Sequence, residues 1–191
     1  MGPAGSAVAM VYLHGLCGDP LAFRAWMEAA AVHGTLISMR GDEPCPGRGG
    51  RTKWSFDYRR LDARITRAIT TVSARRETPL DLDEVVAIGY SQGAHRVHWL
   101  AARYPDRYRR VVVIAMTTPP LATHFARAER VLIMAGGRDA RQHLYEGHLE
   151  LRKAGVVSRY AEFPGARHGE YGEKAEATMT DALGWLFADR L

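Results

Sequence analysis

The stretch VVAIGYSQGAHRVHWLAARYP, residues 85–105, holds an abrupt change of pattern. Val85 to Ile88 is wholly apolar, as a strand buried on both faces should be. The run stops at Gly89, and helix-compatible sequence begins near Ser91 and lasts to the turn Tyr104-Pro105-Asp106. A single serine stands between Gly89 and Gly93 at the junction. A strand that turns straight into a helix is half of a βαβ unit, so the neighbouring segments should show the same alternation.

They show it. Val8 to Leu13 is an apolar strand followed by the turn His14-Gly15-Leu16-Cys17-Gly18-Asp19, and Pro20 suits the first turn of a helix to about Ala31. Thr35 to Met39 is a second strand. Residues 40–55, with four glycines and two prolines, read as a long loop of the kind that is usually functional or mobile. From Asp57 to Arg76, Leu61, Ile65, Ala68, Ile69 and Val72 share one helix face, and Arg60, Arg64 and Arg67 share another, expected to be solvated. Beyond the quoted stretch come strands at Val111 to Ala115 and Val131 to Ala135, a helix from Ala140 to Ala154, a strand from Val156 to Phe163 and a helix from Glu173 to Ala188. Alternation of this kind predicts an α/β fold, a three-layer α/β/α sandwich with a mostly parallel sheet, in a single domain over residues 1–191.

Composition narrows the class. With 47% apolar residues among 191, the chain carries enough for a sizeable core. Mean hydropathy is −0.23 and no apolar run reaches about 18 residues, so no membrane span is expected. The start, MGPAGSAVAM, lacks a basic region and does not read as a signal peptide. The net charge of +5 comes mostly from arginine, but the arginines alternate with acids along the chain, which argues against nucleic acid as a partner. Cys17 and Cys45 make no CxxC, and His95 and His98, spaced i, i+3, have no further ligands placed by the sequence. No metal and no cofactor are therefore expected.

In parallel sheets ligands gather at the carboxyl ends of strands. The polar residues cluster there: His14 to Asp19, Gly89 to Gly93, Gly136-Gly137-Arg138-Asp139, and Pro164 to Gly169. GxSxG between a strand and a helix is a nucleophile elbow, which presents Ser91 above the sheet with a helix N-terminus beneath it. A serine hydroxyl needs a base. Of the later histidines, His143 and His148 fall in a predicted helix, whereas His168 lies in a loop just after the last strand. His168 is the candidate base, and Asp139, which alone follows an apolar strand by a few residues, is the candidate acid that orients it. A helix N-cap is the competing role for Asp139. The backbone N–H groups of Gln92 and Leu16, with Cys17 second to Leu16, are the candidate oxyanion donors. Cys17, Trp54 and Tyr90 are candidate substrate contacts.

The motifs HGLCGD, GYSQGA, GRD and GARHG stand in the order seen in α/β-hydrolases, and the chain most resembles the small, lidless phospholipase/carboxylesterase family that includes acyl-protein thioesterases. That family's Trp-aromatic-Asp stretch is matched loosely by Trp54-Ser55-Phe56-Asp57, with one residue inserted. The resemblance implies a Ser91-Asp139-His168 triad, an acyl-serine intermediate and no cofactor. The chain is shorter than typical members, which points to missing edge strands. Only Thr117 to Ala128 lies between Ala115 and the next strand region, so no lid domain is expected. The family's apolar acyl-binding loops are not evident, which argues against long acyl chains. The expected activity is hydrolysis of small or short-acyl carboxylic esters, a small-molecule substrate. A thioesterase or peptidase on the same triad, and a non-catalytic binding protein on the same fold, are the alternatives. Cys17 and Cys45 each follow a strand, and either a bridge beside the oxyanion turn, suiting an oxidising compartment, or two free thiols fits the sequence.

Overall fold

In a computed structural model, which describes residues 2, 3 and 5–188, the elements run β1 (Ala9–Leu13), α1 (Met27–Ala31), β2 (Thr35–Met39), β3 (Glu43–Pro44), β4 (Thr52–Lys53), α2 (Tyr58–Ser73), β5 (Val85–Tyr90), α3 (Gln92–Arg103), β6 (Arg110–Ile114), β7 (Arg130–Gly136), α4 (Gln142–Lys153), β8 (Ser158–Phe163) and α5 (Ala175–Leu186). Six strands form one sheet in the order β2-β1-β5-β6-β7-β8, and every neighbouring pair in it is parallel. The strand read from Val85 to Ile88 sits inside this sheet, flanked by β1 and β6.

Alternation along the strands builds the layers. Val11, Leu13, Ala87, Val111, Val113 and Ile133 face one side, where Leu61, Ile65 and Ile69 of α2, Val97 and Leu100 of α3, and Leu144 and Leu151 of α4 cover them. Met10, Tyr12, Val86, Ile88, Val112 and Leu132, one residue out of step, face the other side, against Trp26, Ala29 of α1, and Met179 and Leu183 of α5. Both faces are buried, which is why these strands are apolar throughout. The molecule is the expected three-layer α/β/α sandwich.

The structure departs from the sequence reading in three places. The segment from Pro20 to Ala31 is not one helix: a 3₁₀ turn (Ala22–Trp26) precedes α1, and the break falls at Trp26. The Trp26 ring is fully buried against Tyr12 and Tyr171, so burial of the indole overrides helical continuity. The long loop after β2 folds back on itself through the antiparallel β3–β4 pair. Of the three arginines expected on a solvated face of α2, Arg64 instead turns inward to the buried carboxylate of Asp42 at 3.8 Å, while Arg60, 4.0 Å from the same carboxylate, stays 62% exposed. Among the described residues, no helix is long and apolar enough to cross a membrane. The connection from β6 to β7 holds only a short 3₁₀ turn, Ala122–Phe125, and no lid.

Cys17 and Cys45 form a disulfide, 28 residues apart, that fastens the β3–β4 loop to the turn after β1. In the chain-entropy model a closed loop of this size stabilises a fold by about 3–4 kcal/mol. Thiol titration of the denatured, unreduced protein is expected to find no free thiol. Reduction is expected to lower Tm by about 10 °C. Two thiols per chain before reduction would rule the bridge out.

Candidate active site

Ser91 lies at the carboxyl end of β5 with φ 49° and ψ −111°, a backbone conformation that L residues rarely adopt. Such strain is of order 1–3 kcal/mol and persists only where the surroundings enforce it. Here Ser91 N–H donates to the Ile114 carbonyl at 2.8 Å, and Ser91 O accepts from His95 N–H at 3.2 Å. The flanking glycines are required by close backbone approach. A Cβ on Gly89 would lie 2.4 Å from the Gly93 carbonyl oxygen, and one on Gly93 would lie 1.9 Å from the Leu13 carbonyl oxygen. The helix α3 can sit this close to β1 and β5 only because both positions lack a side chain.

Two loops from distant parts of the chain meet Ser91. The turn after β7 and the loop after β8 are stapled side by side: Gly137 N–H donates to Phe163 O at 2.9 Å, and Arg138 N–H to Ala166 O at 2.8 Å. This places Asp139 beside His168. Asp139 Oδ2 is 2.8 Å from His168 Nδ1, and His168 Nε2 is 3.0 Å from Ser91 Oγ. The second carboxylate oxygen of Asp139 accepts from Ala140 N–H at 2.7 Å. An ionised carboxylate can only accept, so Nδ1 carries the imidazole proton and Nε2 presents its lone pair to the Ser91 hydroxyl. Gly169 N–H donates to the Tyr90 hydroxyl at 2.6 Å, tying the histidine loop to the residue before Ser91. Asp139 is not a helix cap: α4 begins after Arg141, without a side-chain cap.

The turn after β1 is braced from behind. His14 is fully buried; its Nδ1–H donates to Gly15 O at 2.7 Å and its Nε2 accepts from Gly41 N–H at 3.1 Å. Burial lowers the His14 pKa, which keeps the ring neutral and this tautomer in place. Trp54 Nε1–H donates to His14 O at 2.8 Å. The Gln92 side chain clasps the Trp54 backbone, accepting from its N–H at 3.0 Å and donating to its carbonyl at 3.4 Å. The Gln92 backbone N–H, first in α3, has no intrahelical acceptor. Leu16 N–H has no protein acceptor among the described residues. Both residues border the space beside Ser91.

Two clefts open on Ser91. The larger, 540 Å³, is walled by Tyr12, Tyr90 and Tyr171 and includes His168, with the Asp19–Arg51 pair, 3.8 Å apart, along it. The smaller, 420 Å³, runs past Leu16 and Gln92 to Phe56 and Trp99.

Among the expected substrate contacts, Tyr90 lines the larger cleft. Trp54 does not: it is 1% exposed and packs on the His14 ring, 5.0 Å between centroids, so it supports the turn from within. Cys17 lines neither cleft, and its sulfur is bonded to Cys45. His143 and His148 lie on α4 and pair with Met116 O and Ser158 Oγ. His95 meets Thr117 Oγ1 at 2.9 Å, and His98 accepts from Leu121 N–H and faces His124. Burial lowers the His98 pKa to about 3. Among the described residues, no group of three or more His, Cys, Asp or Glu side chains is placed to hold a metal. The sequence reading missed Tyr12, Tyr171, Phe56 and Trp99 as cleft residues. Phe56 alone carried a signal, through its place in the Trp54-to-Asp57 stretch.

The family model for the alpha/beta hydrolase fold matches residues 8–153, and the chain belongs to that family. No curated protein matches the sequence. Among solved structures, the esterase PE8 superposes with a TM-score of 0.70 at 16% identity, covering 97% of this chain and 96% of that one. A thermophilic esterase from the planctomycete Thermogutta terrifontis, solved with butyrate bound, gives 0.66 at 18% identity, over 100% and 86% of the two chains. A protein of unknown function from Agrobacterium tumefaciens gives 0.59 at 23% identity, over 98% and 94%. Likeness at these identities is likeness of fold.

Proposed function

We propose that the protein is a serine hydrolase that cleaves small or short-acyl carboxylic esters with Ser91, His168 and Asp139. One observation carries the reading: a single imidazole lies 3.0 Å from a strained serine hydroxyl and 2.8 Å from a carboxylate. The butyrate bound to the Thermogutta terrifontis esterase agrees with a short acyl group.

In this reading Ser91 Oγ attacks the ester carbonyl carbon while His168 Nε2 takes the hydroxyl proton. General-base help of this kind is worth about 10²–10⁴ in rate. The electron pair displaced onto the carbonyl oxygen is held by the N–H groups of Leu16 and Gln92, where loss of one donor would lower kcat by about 10²–10³. Asp139 stabilises the imidazolium without taking its proton. The carbonyl reforms, the bond to the alcohol oxygen breaks, and that oxygen leaves with the proton from His168. Water then attacks the acyl carbon as the same imidazole takes its proton, the bond to Ser91 Oγ breaks, and Oγ leaves with that proton from His168, freeing the acid.

A fluorophosphonate probe is expected to label Ser91 stoichiometrically and to abolish turnover of p-nitrophenyl acetate. A folded protein that resists the probe would contradict the proposal and favour a binding role for the cleft.

A further inference from the structure

The two clefts that open on Ser91 hold different parts of the proposed machinery. His168 lies in the larger one. Gln92 lies in the smaller one, which His168 does not line, and Leu16 stands between the two and borders both. The tetrahedral carbon formed on Ser91 has three other substituents. The oxyanion goes to the N–H donors. The alcohol oxygen must take its proton from His168 Nε2, so the alcohol extends on the His168 side. The acyl chain is left with the remaining direction, past Leu16 and Gln92.

Resting on the hydrolase reading above, we propose that the 420 Å³ groove is the acyl subsite, and that Phe56 and Trp99 make it select aromatic acyl groups over acetyl. Three large apolar side chains border this groove while open to solvent: Phe56 is 78% exposed, Leu16 59% and Trp99 40%. Phe56 is nonetheless held in place. The Arg96 guanidinium lies 4.1 Å from its ring centroid, and Arg96, itself only 3% exposed, is anchored by a 3.0 Å hydrogen bond to Trp54 O. Trp99 is fixed in turn by the His124 ring at 4.3 Å and by Tyr58 at 6.1 Å. Rings ordered before binding lose little freedom when a ligand covers them. A flat acyl group would cover both rings and take the offset or edge-on packing that aromatic pairs favour. An acetyl methyl has too little surface to do so. The larger cleft, with its tyrosine walls and the Asp19–Arg51 pair, is left to the alcohol.

The test compares two substrate series on wild type, Phe56→Ala and Trp99→Ala. One holds the p-nitrophenol leaving group and changes the acyl group from acetyl to phenylacetyl. The other holds acetyl and changes the alcohol. Each result is read as a ratio of kcat/KM on one preparation, which is independent of the folded fraction. In both variants the phenylacetyl-to-acetyl ratio is expected to fall about tenfold, with the alcohol ratios moving less than twofold. A shift in the alcohol ratios instead would put the leaving group in this groove and overturn the proposal. So would ratios that stay at wild-type values while the fluorophosphonate probe still labels Ser91. Absence of both labelling and turnover in wild type would remove the hydrolase reading itself, and the subsite with it.

Discussion

Ser91→Ala is expected to lower kcat for p-nitrophenyl acetate by about 10⁴–10⁶, and His168→Ala by a similar factor. In the proposed mechanism the two groups act as one unit across their 3.0 Å contact, so the double variant should be no slower than either single one. Asp139→Asn tests a different link. An amide can donate to Nδ1, which would move the imidazole proton to Nε2 and leave the base facing Ser91 with a proton instead of a lone pair. The expected loss is about 10⁴ in kcat with little change in KM. Thermal melts control for folding. Ser91→Ala keeps a Cβ at the same φ of 49°, so the backbone strain is unchanged and Tm should stay close to that of wild type. Equal rates in Ser91→Ala and wild type would refute the assignment outright.

The second large effect is on stability. A Cβ added at Gly93 would meet three backbone atoms: Leu13 O at 1.9 Å, Leu13 C at 2.6 Å and His14 O at 2.8 Å. No side chain can swing away to relieve these clashes. Either α3 or β1 must shift, and both carry parts of the site: Ser91 and Gln92 on one, the His14–Leu16 turn on the other. Gly93→Ala is therefore expected to destabilise the fold by about 3 kcal/mol or more and to lower Tm by about 10 °C. The folded fraction should also lose about 10² in kcat, because the proposed donors would move relative to the proposed nucleophile. Gly49→Ala is the control. Nothing lies within 4 Å of its added Cβ, and its effect should stay within about 0.5 kcal/mol. Urea unfolding of the two variants checks both values. A Gly93→Ala protein as stable as wild type would show that the helix does not pack on β1 as described.

Local chemistry was legible where backbone geometry leaves few choices. GxSxG after an apolar run placed Ser91 at a strand-to-helix turn, because only glycine tolerates the approach of α3 to β5 and β1. His168 could be chosen over His143 and His148 because a loop residue after a strand points to the carboxyl edge of the sheet, while those two belong to a helix. Cleft residues were less legible. Trp54 looked like a ligand contact because it sits in a glycine-rich loop. It is a buried brace instead, since the β3–β4 loop folds inward and its indole finds the His14 carbonyl. Phe56, two residues later, is the one left in the open. Nothing in the alternation of polar and apolar residues separates those two aromatic fates. Tyr12, inside the apolar first strand, reads as core, and it is core: its hydroxyl pairs with that of Tyr171 at 2.8 Å while both residues still border the larger cleft.

What the sequence determined by itself was everything that follows from local pattern: the alternation of strand and helix, the parallel sheet this demands, and the identity of Ser91, Asp139 and His168 as strand-end residues. What only the tertiary structure decided was which distant segments touch. The hydrogen bonds between the loops after β7 and β8, the bridge from Cys17 to Cys45, and the split of the space above Ser91 into two unlike clefts all depend on contacts between residues far apart in the chain. Periodicity reports which face a side chain occupies, not what lies opposite it, and it is the opposing atoms that make a site.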